Sequence, residues 1–304
     1  MQIGLSTGDL ASAAHDARAA EAAGFDYLAC GEHLFFHGPT PNAFIHLAAA
    51  AGATSRIRLV STITLLPLYP ATLAAKLASA LDVASGGRFE LGVGAGGEFP
   101  PEFEAAGVDP ADRFRRLDEG LRVLRSLFSG GPTTVEGEFT TVRGLALQPG
   151  PVQSGGPPIW LGGRKEGAMR RAGRYADVWM PYMVDPERLH QTLQRVREMA
   201  ADHDRAPSEV AGAVFLWTCA DPDGATARER GIAAVSRTYA QDFTPLADRY
   251  LALGTPREVA DRLREFAAAG AERIILSPAC APAERERLLR VLAEEVLHAA
   301  RSRP

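Results

Sequence analysis

The acid–histidine pair Glu32-His33 is the first place in this chain where side chains could move a proton. It ends an apolar run. An imidazole ordinarily titrates near neutrality, so His33 can act as a general base or donate to a carbonyl or ring nitrogen. A plain surface-loop histidine is the competing reading. Metal binding is not expected, because Glu32, His33 and His37 supply neither a helical histidine pair nor a second acid at useful spacing. The turn Gly162-Gly163-Arg164-Lys165 is the second candidate. Free N–H groups at a helix start attract phosphate, glycines let the backbone come close, and Arg164 or Lys165 adds charge. An ordinary strand-to-helix turn would look the same. The run Gly92-Val93-Gly94-Ala95-Gly96-Gly97 fits neither a P-loop nor a full dinucleotide fingerprint. It can let backbone approach a ligand, or pack a tight corner. Phe35, Phe36, Trp179, Tyr182 and Trp217 could line a pocket, although each could equally fill core.

These groups matter only if the fold gathers them. Residues 59–67 read as one buried strand stopped by Pro67; a helix at 70–84 and a strand at 88–94 follow. That is a parallel β-α-β unit with small residues at its strand ends. The plan recurs. Further strands are expected at 2–6, 25–30, 158–161, 176–181, 211–220 and 273–277. Helices are expected at 10–23, 44–53, 112–128, after Arg164, and at 186–202, 257–269 and 283–300. The helix at 112–128 is amphipathic through Phe114, Leu117, Leu121, Leu124 and Leu127. Two segments interrupt the rhythm. Residues 129–157 are rich in Gly, Pro and Thr with a possible hairpin at 133–141, and 223–250 is a mostly helical excursion. The expectation is an α/β protein, a single-domain (β/α)8 TIM barrel over 1–304 with insertions at about 129–157 and 223–250. An open doubly wound sheet is second choice, because only Ser6-Thr7-Gly8-Asp9 follows the first strand, with no dinucleotide fingerprint. A barrel puts its site at the C-terminal strand ends. The residues there suit a planar aromatic ligand with an anionic tail.

Composition narrows the classes. A chain of 304 residues with 46% hydrophobic and 23% charged residues is a soluble globular protein with a substantial core. A net charge of -4 argues against nucleic acid or anionic membrane as partner. No apolar run is long enough for a bilayer, and the N-terminus lacks signal-peptide character. Cys30, Cys219 and Cys280 are odd in number, far apart and in no metal spacing, so a reduced, cytoplasmic protein is expected.

Taken in order, these pieces resemble the luciferase-like flavin and deazaflavin oxidoreductases, from about Gln2 to about Ala279. The resemblance is carried by Arg56-Ile57-Arg58-Leu59 leading into Leu65-Leu66-Pro67-Leu68, and by the run from Lys76 through Asp82-Val83-Ala84-Ser85-Gly86-Gly87-Arg88 to Gly94. Pro158-Ile159-Trp160-Leu161-Gly162-Gly163 with Ala176-Asp177-Val178-Trp179 is the second strong match. It implies an α/β barrel holding FMN or the deazaflavin F420 at its mouth. It also implies His33 as catalytic histidine beside the ring with Glu32 before it, and a non-prolyl cis peptide at Thr62-Ile63 against the ring. Gly94, Ala95, Gly96 and Gly97 would lie along the ring edge, and Gly162, Gly163 and Arg164 at the phosphate. Phe35, Phe36, Leu66, Glu98, Tyr182 and Trp217 would line the substrate pocket, and a homodimer is expected.

One departure counts against a sugar-phosphate dehydrogenase. Where some deazaflavin enzymes carry an acid directly after the strand-four glycines, this chain has Gly97, with Glu98 one residue later. The modest insertions favour F420 over FMN. The expected function is therefore an F420-dependent oxidoreductase that transfers a hydride to or from a small, hydrophobic organic substrate, with His33 handling the proton. The alternatives are an FMNH2-dependent monooxygenase of the same family and a non-catalytic flavin-binding barrel. A non-redox aldolase or isomerase would want a lysine at a strand end or a carboxylate cluster, and neither is present.

Overall fold

The computed structural model describes residues 1–302. Its centre is a closed barrel of eight parallel strands: β1 (Gln2–Ser6), β2 (Tyr27–Cys30), β3 (Arg58–Ser61), β4 (Phe89–Gly94), β5 (Ile159–Gly163), β6 (Val178–Pro181), β7 (Ala211–Ala220) and β8 (Ala271–Pro278). Each strand pairs with the next, and closure comes from β8 pairing with β1, Gln2 opposite Arg273 through Leu5 opposite Leu276. Helices cover the outside, so the strands are buried on both faces and read as near-continuous apolar runs. The α/β barrel expected from the sequence is the fold observed.

Local chemistry sets the ends of the helices that frame the mouth. Asn42 caps the helix Ala43–Ala53, its side-chain oxygen accepting from the Ile45 N–H at 3.1 Å. Asp185 caps Pro186–Ala201 in the same way through Arg188, with proline at the first helical position. Thr255 and Glu258 form a reciprocal capping box at Pro256–Ala268.

Three expectations change. Residues 59–67 are not one strand: β3 stops at Ser61, the Thr62–Ile63 peptide is cis, and a short strand Thr64–Leu65 resumes beside β4. The first helix starts at Ala13 rather than at residue 10. Phe114 does not join the buried stripe of the helix Arg113–Phe128; it is 44% exposed and lies between the Arg113 and Arg171 guanidinium groups, 4.3 and 5.1 Å from its ring centre. The hairpin pairs Thr133–Glu136 with Thr141–Leu145, and the later excursion folds mainly as the helix Gly224–Tyr239.

The N-terminal half of the lumen is filled by a polar cluster. Glu90, 1% exposed, accepts from Tyr27 Oη at 3.0 Å, Arg58 Nε at 2.5 Å and Trp160 Nε1 at 2.5 Å. Arg273 Nε donates to Tyr27 Oη at 3.0 Å, and its guanidinium lies over the Trp160 ring. Such burial of charge is tolerable because Glu90 pairs with Arg58, and Arg273 has Tyr27 and the Trp160 face.

Candidate active site

At the other end, the lumen is cleared by glycine. The Ile63 side chain projects from the bend after β3 across β4 and β5. A Cβ at Gly94 would fall 2.1 Å from Ile63 Cδ1, and one at Gly162 would lie 3.8 Å from the same atom. At Gly92 a Cβ would meet the Ser61 carbonyl at 2.0 Å. A side chain at 92 would therefore displace the bend, and one at 94 would push the Ile63 side chain aside. The result is a floor made of one aliphatic side chain and bare backbone, the kind of surface on which a flat ring can lie. Two buried hydroxyl oxygens at this bend, Thr62 Oγ1 and Thr64 Oγ1, have no protein partner. Buried polar atoms are normally paired, so orphans at a cleared floor are vacancies for a ligand's polar edge.

His33 stands at the rim. Its Nδ1 lies 3.1 and 3.2 Å from the two carboxylate oxygens of Glu102, and its ring stacks on Phe36 at 4.2 Å between centres. Glu102 also accepts from the Leu34 N–H at 3.1 Å. A carboxylate only accepts, so Nδ1 carries the hydrogen and Nε2 is the nitrogen left for other chemistry. The imidazole is 19% exposed, whereas the Glu102 side chain is fully buried. Glu102 lies on a short helix, Pro100–Ala105, absent from the sequence expectation. Prolines at its start were a legible helix signal. Nothing local could pair it with His33, 69 residues away.

Glu32 lies elsewhere. One of its oxygens accepts from Asn42 Nδ2, the Ala43 N–H and Tyr69 Oη at 3.2, 3.0 and 3.1 Å, and the other from the Leu65 N–H at 3.2 Å. Burial pushes its carboxyl above the usual range despite those donors. Its contacts tie the end of β2 to the helix Ala43–Ala53 and to the chain just past Ile63, which makes it a brace for the floor.

The remaining candidates divide. Phe36, Tyr182 and Trp217 line an aromatic wall on the mouth. Phe36 meets Tyr239 edge-on at 6.2 Å, Trp217 Nε1 donates to Tyr182 Oη at 3.3 Å, and the Tyr182 and Tyr239 hydroxyls hydrogen-bond each other. Glu98 is exposed and its charge reaches both tyrosines. Tyr239 was not among the sequence candidates; it comes from the excursion at 223–250. Phe35 points outward at 54% exposure. Leu66 is buried against Gly120 of the helix Arg113–Phe128, under the wall rather than in it. Trp179 is likewise internal, its Nε1 donating to Thr192 at 3.1 Å. Ala95, Gly96 and Gly97 form the loop after β4, with Gly97 beside Arg113. At the β5 turn a Cβ on Gly163 would fall 2.3 Å from Ala168 Cβ, so glycine seats the start of the helix Glu166–Tyr175 directly on the strand end. Arg164 and Lys165 are exposed there. On the far side of the mouth, Thr7 Oγ1 shares a 2.7 Å hydrogen bond with Nε2 of the fully buried His46, whose Nδ1 has no partner. Burial pushes the His46 pKa below its ordinary value.

Among the described residues no His, Cys, Asp or Glu cluster could hold a metal, and no helix is long and apolar enough to cross a membrane. Residues 2–273 match the model of the luciferase-like monooxygenase family. The chain belongs to that family. A protein of Mycobacterium tuberculosis, Rv0940c, is 34% identical over 188 residues, 61% of this chain and 64% of that protein. The chain thus spans under two thirds of that relative's length. The FMNH2-dependent dimethylsulfone monooxygenase of Pseudomonas fluorescens is 28% identical over 85% of this chain and 79% of its own. The monooxygenase RslO1 of Streptomyces bottropensis superposes with a TM-score of 0.86 at 25% identity, covering 98% of this chain and 99% of its own. An F420-dependent secondary alcohol dehydrogenase shares the fold with a TM-score of 0.84 at 22% identity. The relatives named by activity are oxidoreductases and monooxygenases, and this chain shares their barrel. Its mouth fits a flavin-type ring by two features of its own: the glycine-cleared floor and the orphaned Thr62 and Thr64 hydroxyls.

Proposed function

We propose that this chain is a monooxygenase that takes reduced FMN, and that His33 is its catalytic proton carrier. The observation that carries the reading is the His33–Glu102 pair standing beside a floor cleared for a flat ring. Ile63 and the backbone at Gly92, Gly94 and Gly162 would support the ring, with the unpartnered Thr62 and Thr64 hydroxyls near it. The amide groups of the Gly162-Gly163-Arg164 turn, with the charge of Arg164, hold the phosphate. When bound, the ring supplies the two-electron chemistry; the protein supplies orientation and proton control. Glu102 fixes the His33 tautomer, so Nε2 takes or returns the proton that the substrate exchanges. The aromatic wall covers this position and excludes water from it.

Three relatives of 28–33% identity support FMN: their printed activities are monooxygenations, one of them FMNH2-dependent. F420 is the second reading, favoured by the modest excursions that keep this chain at barrel size. It shares 99% of both chains with the F420-dependent dehydrogenase fold. The homodimer expected from the resemblance stays part of the proposal, with gel filtration as its check. Paired titrations of the purified chain with FMN and with F420 test the cofactor. Preference for F420 turns the reading to hydride transfer, and binding of neither sinks both.

A further inference from the structure

The wall facing His33 carries one hydrogen-bond donor too many for its internal contacts. Three polar hydrogens enter the trio, from Trp217 Nε1, Tyr182 Oη and Tyr239 Oη. Two contacts consume two of them: Trp217 to Tyr182, and tyrosine to tyrosine. One phenolic hydrogen is left over, whichever tyrosine carries it. Burial first, with Glu98 adding to it, pushes both phenols above the usual tyrosine range, so that hydrogen is retained as a neutral donor.

The path from His33 to this donor is aromatic throughout. His33 stacks on Phe36, and Phe36 meets both Phe99 and Tyr239 edge-on, each at 6.2 Å. Tyr239 in turn meets Trp217 edge-on at 6.1 Å. Rings of this kind favour flat conjugated molecules over flexible chains. A buried donor without a partner penalises any occupant that lacks an acceptor. The Glu98 carboxylate on the same rim repels anions.

We propose that this wall is the substrate subsite, and that it takes a flat, conjugated, uncharged molecule whose carbonyl or hydroxyl oxygen accepts the spare tyrosine hydrogen. The inference rests on the flavin reading above for the reaction, though not for the binding. Calorimetric titration of the full chain with 2-naphthol, naphthalene-2-sulfonate and decan-1-ol tests it. Naphthol should bind at least about tenfold more tightly than the other two. The double variant Tyr182→Phe/Tyr239→Phe, which removes the tyrosine hydrogen whichever phenol carries it, should weaken naphthol about fivefold, the usual worth of one neutral hydrogen bond, while leaving the FMN titration unchanged. Equal or tighter binding of the sulfonate or the alkanol overturns the proposal, and so does a folded double variant with unchanged naphthol affinity. If the double variant does not fold, the wild-type ranking decides. Flavin binding without naphthol preference refutes the subsite alone. Naphthol preference without binding of FMN or F420 supports the subsite and refutes the cofactor reading.

Discussion

The two halves of the barrel lumen use polar groups in opposite ways. At the N-terminal end, Glu90 accepts three hydrogen bonds inside the strands, and Arg58, Tyr27, Trp160 and Arg273 close around it. Toward the C-terminal mouth polar atoms stand without protein partners: the buried Thr62 Oγ1 and Thr64 Oγ1, and one phenolic hydrogen of the tyrosine pair. The N-terminal cluster turns most of its polar chemistry on itself, while the mouth keeps its own in reserve. That difference separates stability from function within one sheet, and it can be tested by damaging each end in turn.

The largest effect is expected from His33→Ala. Loss of a positioned proton carrier should lower turnover about 10²- to 10⁴-fold while flavin affinity and melting temperature hold. Turnover within threefold of wild type would remove His33 from the mechanism. Glu90→Ala should do the reverse, because it leaves the Arg58 guanidinium without its carboxylate and Tyr27 and Trp160 without their acceptor. Urea unfolding should register about 3–5 kcal/mol of lost stability, with flavin affinity per folded molecule unchanged. A loss below about 1 kcal/mol would show the Glu90 cluster to be incidental. Gly94→Ala falls between the two ends. Its methyl must push Ile63, at a cost of about 1–3 kcal/mol, read chiefly as weaker flavin binding in a fluorescence titration. Intact affinity would mean that Ile63 does not support the ring.

The smallest effect is a pH dependence at the mouth. His46 has a folded pKa below its unfolded value of about 6.5. The unfolded chain therefore binds the proton more readily. The histidine's contribution is present above that pH and is lost as pH falls below it, at no more than about 1.4 kcal/mol per pH unit for one proton. Thermal melts from pH 7.5 to 5.5 should fall less steeply in His46→Gln; parallel curves would assign the acid sensitivity elsewhere.

Much of this was legible in the sequence. Strand-to-helix alternation and small residues at strand ends gave the barrel, and the barrel rule gathered His33, Ile63, Gly94, Gly162, Tyr182 and Trp217 at one mouth. Those signals are local periodicities and turn chemistry, and they survive without coordinates. What escaped was pairing across distance. Glu32 and Glu102 are both acids near aromatic residues, and sequence adjacency favoured the first as the partner of His33. Chain direction decided otherwise: the side chain next to His33 turns inward to brace the floor, and the partner arrives from the loop after β4. Tyr239 was missed for a similar reason, since it sits at the end of an excursion helix with no strand-end rule to flag it. Leu66 failed as a pocket residue because the chain bends at Ile63 and carries the residues beyond it under the helix Arg113–Phe128.

The crowding between Ile63 and Gly94 also bears on how this barrel can diversify. A methyl at 94 meets the end of the isoleucine that gives the floor its shape, so alanine there is accommodated only if Ile63 turns aside or shortens. On the proposed reading, the wall at Phe36, Tyr239 and Trp217 can vary apart from the ring's bed, whereas positions 63 and 94 are coupled by direct contact.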